Sequence, residues 1–143
     1  MSSRAIDRFS GHWIVERHIA DFDSGWHGRF EGQAVFLPVP GGLDYEERGW
    51  LRLGGLVSEA FRRYSWRAED SRVVAVHFDD GRFFHRFDAE NARAEASHYC
   101  DPDLYEVVYF SPGFDPWRVE WRVEGPRKDY RLVTHYRRVA GSA

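Results

Sequence analysis

The chain predicts an all-β fold: one antiparallel meander barrel of about ten strands behind a short N-terminal helical turn. Three observations carry this reading. Residues 117–124 alternate apolar and charged without a break, Trp117-Arg118-Val119-Glu120-Trp121-Arg122-Val123-Glu124, and residues 130–137 nearly repeat the pattern. Side chains on a strand point to opposite faces with period two, so each run has one face for an interior and one for water. Comparable runs recur at roughly ten-residue spacing with Gly, Pro and Asp between them. No long stretch keeps a helical period, residues 57–67 coming nearest. Closing such a meander removes the edges that so many strands otherwise expose.

Residues 2–9 have the length for one or two helical turns before Gly11, so residues 1–10 read as a segment leading into a single barrel domain over 11–139. Strands are expected at 12–19, 28–37 and 43–53, the second ended by Pro38-Val39-Pro40-Gly41-Gly42 and the third by Gly54-Gly55. Residues 57–68 form the fourth. Strands 72–78 and 82–87 are joined by Asp79-Asp80-Gly81, where Asp-Gly suits the positive backbone angles of a tight turn. Strands 94–100 and 104–110 flank Asp101-Pro102-Asp103, and Gly125-Pro126-Arg127-Lys128 links the last two.

Period two gives each strand an inward set. The first four sets are Trp13, Val15, Arg17 and Ile19; Phe30, Gly32, Ala34 and Phe36; Leu43, Tyr45, Glu47 and Gly49; and Arg62, Tyr64 and Trp66. Val74, Val76 and Phe78 are core. Ala96, His98 and Cys100, then Tyr105, Val107 and Tyr109, then Trp121 and Val123, and finally Tyr130, Leu132, Thr134 and Tyr136 complete the lining. A one-residue slip inverts any of these sets, and a bulge in one of so many strands is expected. His12, His18, His27, His77 and His135 fall on the outward side.

A chain of 143 residues buries a substantial core. Its formal charge of -3, with Lys128 the sole lysine, offers no basic stripe for phosphates, so nucleic acid is not an expected partner. Aromatics at 17% either fill a barrel or line a flat pocket. The single Cys100 excludes an internal disulfide; with no apolar leader and no membrane-length run, a cytoplasmic protein without membrane contact is the expectation. A homodimer is left open.

Gly11-His12-Trp13 at the first strand resembles the G-x-W signature of the calycin superfamily, which includes lipocalins and fatty-acid-binding proteins. That resemblance implies a Trp closing one barrel end and an Arg of the last strand, Arg138 or Arg137, lying across it in a cation–π contact. More specifically, residues 98–105 (His98-Tyr99-Cys100-Asp101-Pro102-Asp103-Leu104-Tyr105) and 125–130, with Trp13, Arg17, Tyr45-Glu46, residues 80–85 and Tyr136, resemble a bacterial family of lipocalin-like domains of unknown function. The resemblance covers nearly the whole chain and supplies a fold without an activity.

Candidate chemistry follows from the inward polar residues. Arg17, Glu47 and Arg62 face the interior, and a buried ion is costly unless paired. One reading is a salt bridge of Glu47 with Arg17 or Arg62 among tyrosine hydroxyls. The other leaves one Arg free for a ligand carboxylate or phosphate, which the guanidinium fork suits. The leading expectation is a binder of a small, partly aromatic or anionic molecule, using Arg17, Tyr45, Glu47, Arg62, Tyr64, His85, His98, Tyr105, Trp121, Tyr130, Thr134 and Tyr136.

The alternative is a cofactor-free acid/base enzyme, a lyase or isomerase, as in small calycin-like barrels such as phenolic acid decarboxylases. Glu47 or His98 would then be the base, Tyr105 or Tyr45 the proton donor and Arg17 the clamp. Glu47 unpaired in an open cavity favours the enzyme; Glu47 locked to an Arg favours the binder. The third reading is haem or metal held by His98 or His85, since a related calycin group binds haem with one His in a ten-strand barrel. No cofactor is expected in the leading reading. His98 and Cys100 share a face but need a third ligand from elsewhere, for example His85, with no second Cys to offer; Asp101-Pro102-Asp103 reads as a capped turn, and Cys100 beside Asp101 reads as core. Lys128 stands either at the barrel mouth or in a solvated turn.

Overall fold

The computed structural model describes residues 4–141. Ala5–Phe9 form one 3-10 turn, followed by ten strands: β1 Gly11–Asp21, β2 His27–Val39, β3 Gly42–Leu53, β4 Leu56–Ala68, β5 Val73–Phe78, β6 Phe83–Asp88, β7 Arg93–Cys100, β8 Asp103–Phe110, β9 Trp117–Gly125 and β10 Lys128–Arg138. They make one antiparallel sheet in the order β6-β5-β4-β3-β2-β1-β10-β9-β8-β7. β6 and β7 meet at the seam without a ladder between them, so the barrel is nearly closed. No described helix is long and apolar enough to cross a membrane.

The long strands β2 to β4 must bend around this barrel, and glycines make room where the turn is tightest. Gly32 pairs with Gly49. A Cβ on either would lie 2.1 Å from a carbonyl oxygen of the neighbouring strand, so neither position takes a side chain without moving the sheet.

One end is plugged. Ile6 and Phe9 of the 3-10 turn are buried, and Phe9 meets Trp66, Trp117, Phe36 and Phe87 edge-on or tilted. The Trp13 indole N–H donates to the Phe9 carbonyl at 2.8 Å. Trp13 stands opposite Arg138 in the β1–β10 register, and the guanidinium lies 4.0 Å over its ring. Arg138 also donates to the carbonyls of Ser10 at 2.6 Å and Arg8 at 2.7 Å. The latch is therefore Arg138 and not Arg137, because Arg138 shares the inward parity of Tyr136 and Arg137 is exposed.

The inward sets of β1 to β4 and β8 to β10 lie on the barrel's inner side, and Trp117 and Val119 continue the β9 set to the plug. Departures cluster at β5 and β6. Arg72 and Arg82 fall outside the strands; Arg82 instead bonds Asp80 through its backbone N–H and its Nε at the Asp79–Gly81 turn. A bulge between Val76 and His77 breaks the register, and the consecutive Phe84 and His85 are both buried. Strict alternation fails there because the bulge adds a residue to one strand. Cys100, expected in the core, is exposed at the end of β7.

Removing the latch strands two carbonyls and uncovers Trp13. Arg138→Ala is expected to lower stability by about 2–3 kcal/mol in urea denaturation, with Arg138→Lys recovering only part because it lacks the planar fork.

Candidate functional site

Above the aromatic plug, β1, β3 and β10 bring together a buried polar layer. Arg17 donates from its two terminal nitrogens to Glu47 Oε2 at 2.7 Å and Oε1 at 2.9 Å, and from Nε to Thr134 Oγ1 at 2.8 Å. The Tyr45 hydroxyl donates to Glu47 Oε1 at 2.5 Å and shares a 2.9 Å hydrogen bond with the Tyr136 hydroxyl. Tyr136 is fixed from the other side by Trp117, stacked at 3.9 Å with the ring planes parallel within 1°. All five polar residues arrive through period two on β1, β3 and β10, which lie within four consecutive strands of the sheet.

The electrostatics follow from this geometry. Burial by itself pushes the Glu47 carboxyl up, but hydrogen bonds and charge from Arg17, then the charge of Arg62, outweigh it and leave the pKa below the usual range. Burial opposes the Arg17 charge, and Glu47 reverses that, raising its pKa. Desolvation, then the Glu47 charge, raise Tyr45 well above the ordinary phenol, and Tyr136 is pushed up to about 12. Every hydroxyl here is neutral at pH 7, and Glu47 is an ion with its acceptor capacity largely used.

His85 sits beside this layer. Its Nε2 is 2.7 Å from the Tyr109 hydroxyl, and the ring stacks on Tyr109 and Phe87. Burial, then the neighbouring His98, push its pKa down to about 3, so the ring is neutral. Its Nδ1 has no hydrogen-bond partner, nor do the indole nitrogens of Trp66 and Trp117. These three residues all line an inner chamber of about 50 Å³, together with Arg17, Tyr45, Glu47, Thr134 and Tyr136. A volume of that order holds a few waters or a small acceptor group.

The wider space is at the open end. A cavity of about 530 Å³ is walled by Arg62, Tyr64, Phe84, His98, Tyr105, Trp121 and Tyr130, with Phe78, Arg82 and Cys100 among its other lining residues. Phe84 organises the wall: it stacks on Trp121 at 5.0 Å and on Phe78 at 4.5 Å, and meets His98 edge-on at 5.3 Å. At the rim Lys128 is 3.2 Å from Asp103 Oδ2 and donates to the Tyr105 hydroxyl at 3.2 Å. Lys128 is therefore a rim residue whose charge is already engaged.

Arg62 separates the levels. It lines the inner chamber, the mouth cavity and a side pocket of about 120 Å³ beneath Phe30 and Phe61. The guanidinium is half-buried and lies 6.0 Å from the Tyr64 ring centroid, yet makes no hydrogen bond or ion pair with any described residue. Of the two arginines facing Glu47, Arg17 takes the carboxylate and Arg62 is left over.

The twelve residues expected at the site thus occupy two levels. Arg17, Tyr45, Glu47, His85, Thr134 and Tyr136 line the inner chamber, and His98, Tyr105 and Tyr130 line the mouth. Arg62, Tyr64 and Trp121 belong to both. Phe84, the centre of the mouth wall, is outside the inward sets expected from sequence, and Tyr109, the partner of His85, is within them but not among the expected site residues. The run Phe83-Phe84-His85-Arg86-Phe87 carried the signal, because three large uncharged residues in succession interrupt alternation and mark a bulge. Among the described residues no group of three or more His, Cys, Asp or Glu side chains is placed to hold a metal ion.

These features define a class: a lipocalin-like ten-stranded barrel, plugged at one end by a 3-10 turn and carrying polar side chains inside. The chain belongs to the family of unknown function DUF6314, whose model matches residues 9–138. No curated protein matches it. Among solved structures, an S-type phycobiliprotein lyase, CPES from Guillardia theta, has a similar fold, with a TM-score of 0.65 over 95% of this chain and 91% of that chain. Identity between the two is 8%, so the likeness is one of fold.

Two outcomes test the polar layer. Glu47→Gln leaves Arg17 charged and buried without its counterion, and is expected to cost about 3–5 kcal/mol in urea denaturation. The unfolded His85 takes up a proton below its ordinary pKa of 6.5, whereas the folded one resists until about 3. Its contribution to stability is therefore complete above pH 6.5 and is lost as pH falls toward 3. Relative to His85→Gln, the wild type should lose on the order of 3 kcal/mol between about pH 7 and about pH 4.

Proposed function

We propose that the protein binds a small, flat, anionic molecule at the open end of the barrel, with the anionic group on Arg62 and the rings against the aromatic wall. The observation that carries this reading is the free guanidinium of Arg62, half-buried at the meeting point of three cavities and without a hydrogen-bonded partner among the described residues. A cation in that setting gains most from a carboxylate or phosphate that takes both of its forks. The mouth cavity, at about 530 Å³, has the size of a small-molecule site. Trp121, Phe84, Tyr64 and Tyr105 supply flat faces, and the similarity in fold to a phycobiliprotein lyase supports a ligand-holding barrel at that coarse level.

The locked state of Glu47 favours binding over acid/base turnover by that residue. A base must offer a lone pair, and Glu47 already accepts three hydrogen bonds and has a lowered pKa. Arg17, engaged by Glu47 and Thr134, positions the layer beneath the ligand and leaves the contact to Arg62. The inner chamber offers the partnerless nitrogens of His85, Trp66 and Trp117 to bridging water or to an acceptor at the ligand's inner end.

The test is a comparison of charged and neutral probes of one shape, followed by quenching of Trp fluorescence. 2-Naphthoate should bind more tightly than 2-naphthamide. Arg62→Gln should weaken naphthoate binding by about ten- to a hundred-fold and leave the amide nearly unchanged. Equal binding of both probes to the wild type, or equal losses in the variant, removes Arg62 as an anion contact.

A further inference from the structure

The inner chamber carries a set of donors that the barrel leaves unused. Trp66, His85 and Trp117 are 5%, 2% and 3% exposed, and all three border it. Phe87 and Tyr109, stacked at 3.8 Å, join them: the His85 ring lies along both, Trp66 meets Phe87 edge-on at 5.6 Å, and Trp117 lies nearly parallel to Tyr109 at 6.3 Å. Both indole nitrogens and His85 Nδ1 lack a hydrogen-bond partner. An unpaired polar atom in a protein interior is costly, and three beside one small chamber mark a place for a group that pairs with them.

The His85 nitrogen is a donor like the other two. The ring is neutral, so its two nitrogens hold one hydrogen between them. The Tyr109 hydroxyl has no hydrogen-bond partner except His85 Nε2 among the described residues. A hydrogen on Nε2 would leave both the hydroxyl hydrogen and the Nδ1 lone pair unmatched. With the hydroxyl donating to Nε2, one group alone is left over, and the hydrogen belongs on Nδ1. Every described buried atom of the chamber without a partner is then an N–H.

We propose that the inner chamber takes a carbonyl oxygen of the ligand, an acceptor that brings no hydrogen of its own, on the N–H groups of Trp66, Trp117 and His85. Resting on the function proposed above, in which the ligand enters from the mouth, this narrows the ligand to a flat aromatic acid that also carries a carbonyl group. Arg62, Tyr64, Phe84 and Trp121 line both spaces, so a ring held among them at the mouth directs a substituent to the chamber. Water suits the chamber less well. Each water brings two hydrogens that need acceptors, and the Glu47 carboxylate beside it is taken by Arg17 and Tyr45. An anion suits it less still: Arg17 and Glu47 cancel one another, so the chamber offers donors without net charge, and the anionic group stays on Arg62 nearer the mouth.

The test compares 2-acetylnaphthalene with 2-isopropenylnaphthalene, which has the same shape without the acceptor, by equilibrium dialysis against the full chain. Neither probe carries an anion, so the outcome does not depend on Arg62. The acetyl probe is expected to bind about five-fold or more tightly, against the order that hydrophobicity alone gives. Trp66→Phe and Trp117→Phe each keep a ring and remove one donor. Each should cut the preference about three-fold or more and change the affinity for the isopropenyl probe by less than about two-fold. Equal binding of the two probes, tighter binding of the isopropenyl probe, or no binding of either to about 0.5 mM protein overturns the proposal, as does a preference that both variants leave whole. Loss of the naphthoate preference with the acetyl preference intact removes Arg62 as the anion contact and leaves the chamber its role. Should a variant fail to fold, the indole N–H proton resonances of the wild type decide. Those of Trp66 and Trp117 should lie downfield with the acetyl probe relative to the isopropenyl one, and coincident resonances overturn the proposal.

Discussion

The bidentate contact of Arg17 with Glu47 sets the terms for everything inside the barrel. Two ions are held out of water, and their attraction offsets that cost only because Thr134 and Tyr45 complete the hydrogen bonding. The pair ties β1 to β3 across β2, and through Tyr45 and Tyr136 it reaches β10. Such a pair adds little to stability compared with apolar packing; its effect is to make one arrangement of side chains far better than any other. It also consumes the carboxylate, and this leaves Arg62 with its charge unmatched.

The interior is graded along the barrel axis as a result. At the plugged end aromatic rings pack edge to face around Phe9, with Arg138 laid over Trp13 to close that end. The charged layer follows, then a small chamber bordered by partnerless nitrogens, then the wide mouth. Polarity in the middle of a barrel is expensive, so its retention there points to use at the neighbouring open end. The brevity of β5 and β6 accounts for two further features at once. It leaves the mouth wide beside Arg62, and it leaves the outer half of β4 paired on its β3 side alone.

Alternation along a strand encodes the face of a side chain but neither a bulge nor depth along the barrel. Where neighbouring strands run in register, parity alone placed Arg17, Glu47, Tyr45, Thr134 and Tyr136 in the interior, and the Gly11-His12-Trp13 motif located the latch. Phe84 escaped because a bulge between Val76 and His77 puts two consecutive residues on one side. Cys100 escaped for a different reason: its inward parity is right, but β7 ends at the rim, and parity carries no information about depth along the barrel. The same blindness to depth merged two levels of side chains into one expected site.

The sequence by itself determined the fold class, the order of the strands and, outside the bulged β5–β6 stretch, which side chains face inward, because period two is a property of each strand taken alone. The tertiary structure decided which arginine Glu47 would take. Arg17 on β1 and Arg62 on β4 both face it, and β1 lies two strands from β3 while β4 lies next to it. Nearness in the sheet would favour Arg62. Arg17 nevertheless forms the pair, because Thr134 stands directly opposite it on β10 and receives its third donor, completing a network that Arg62 nearer the mouth lacks. That choice rests on distances across the barrel, which no local pattern encodes.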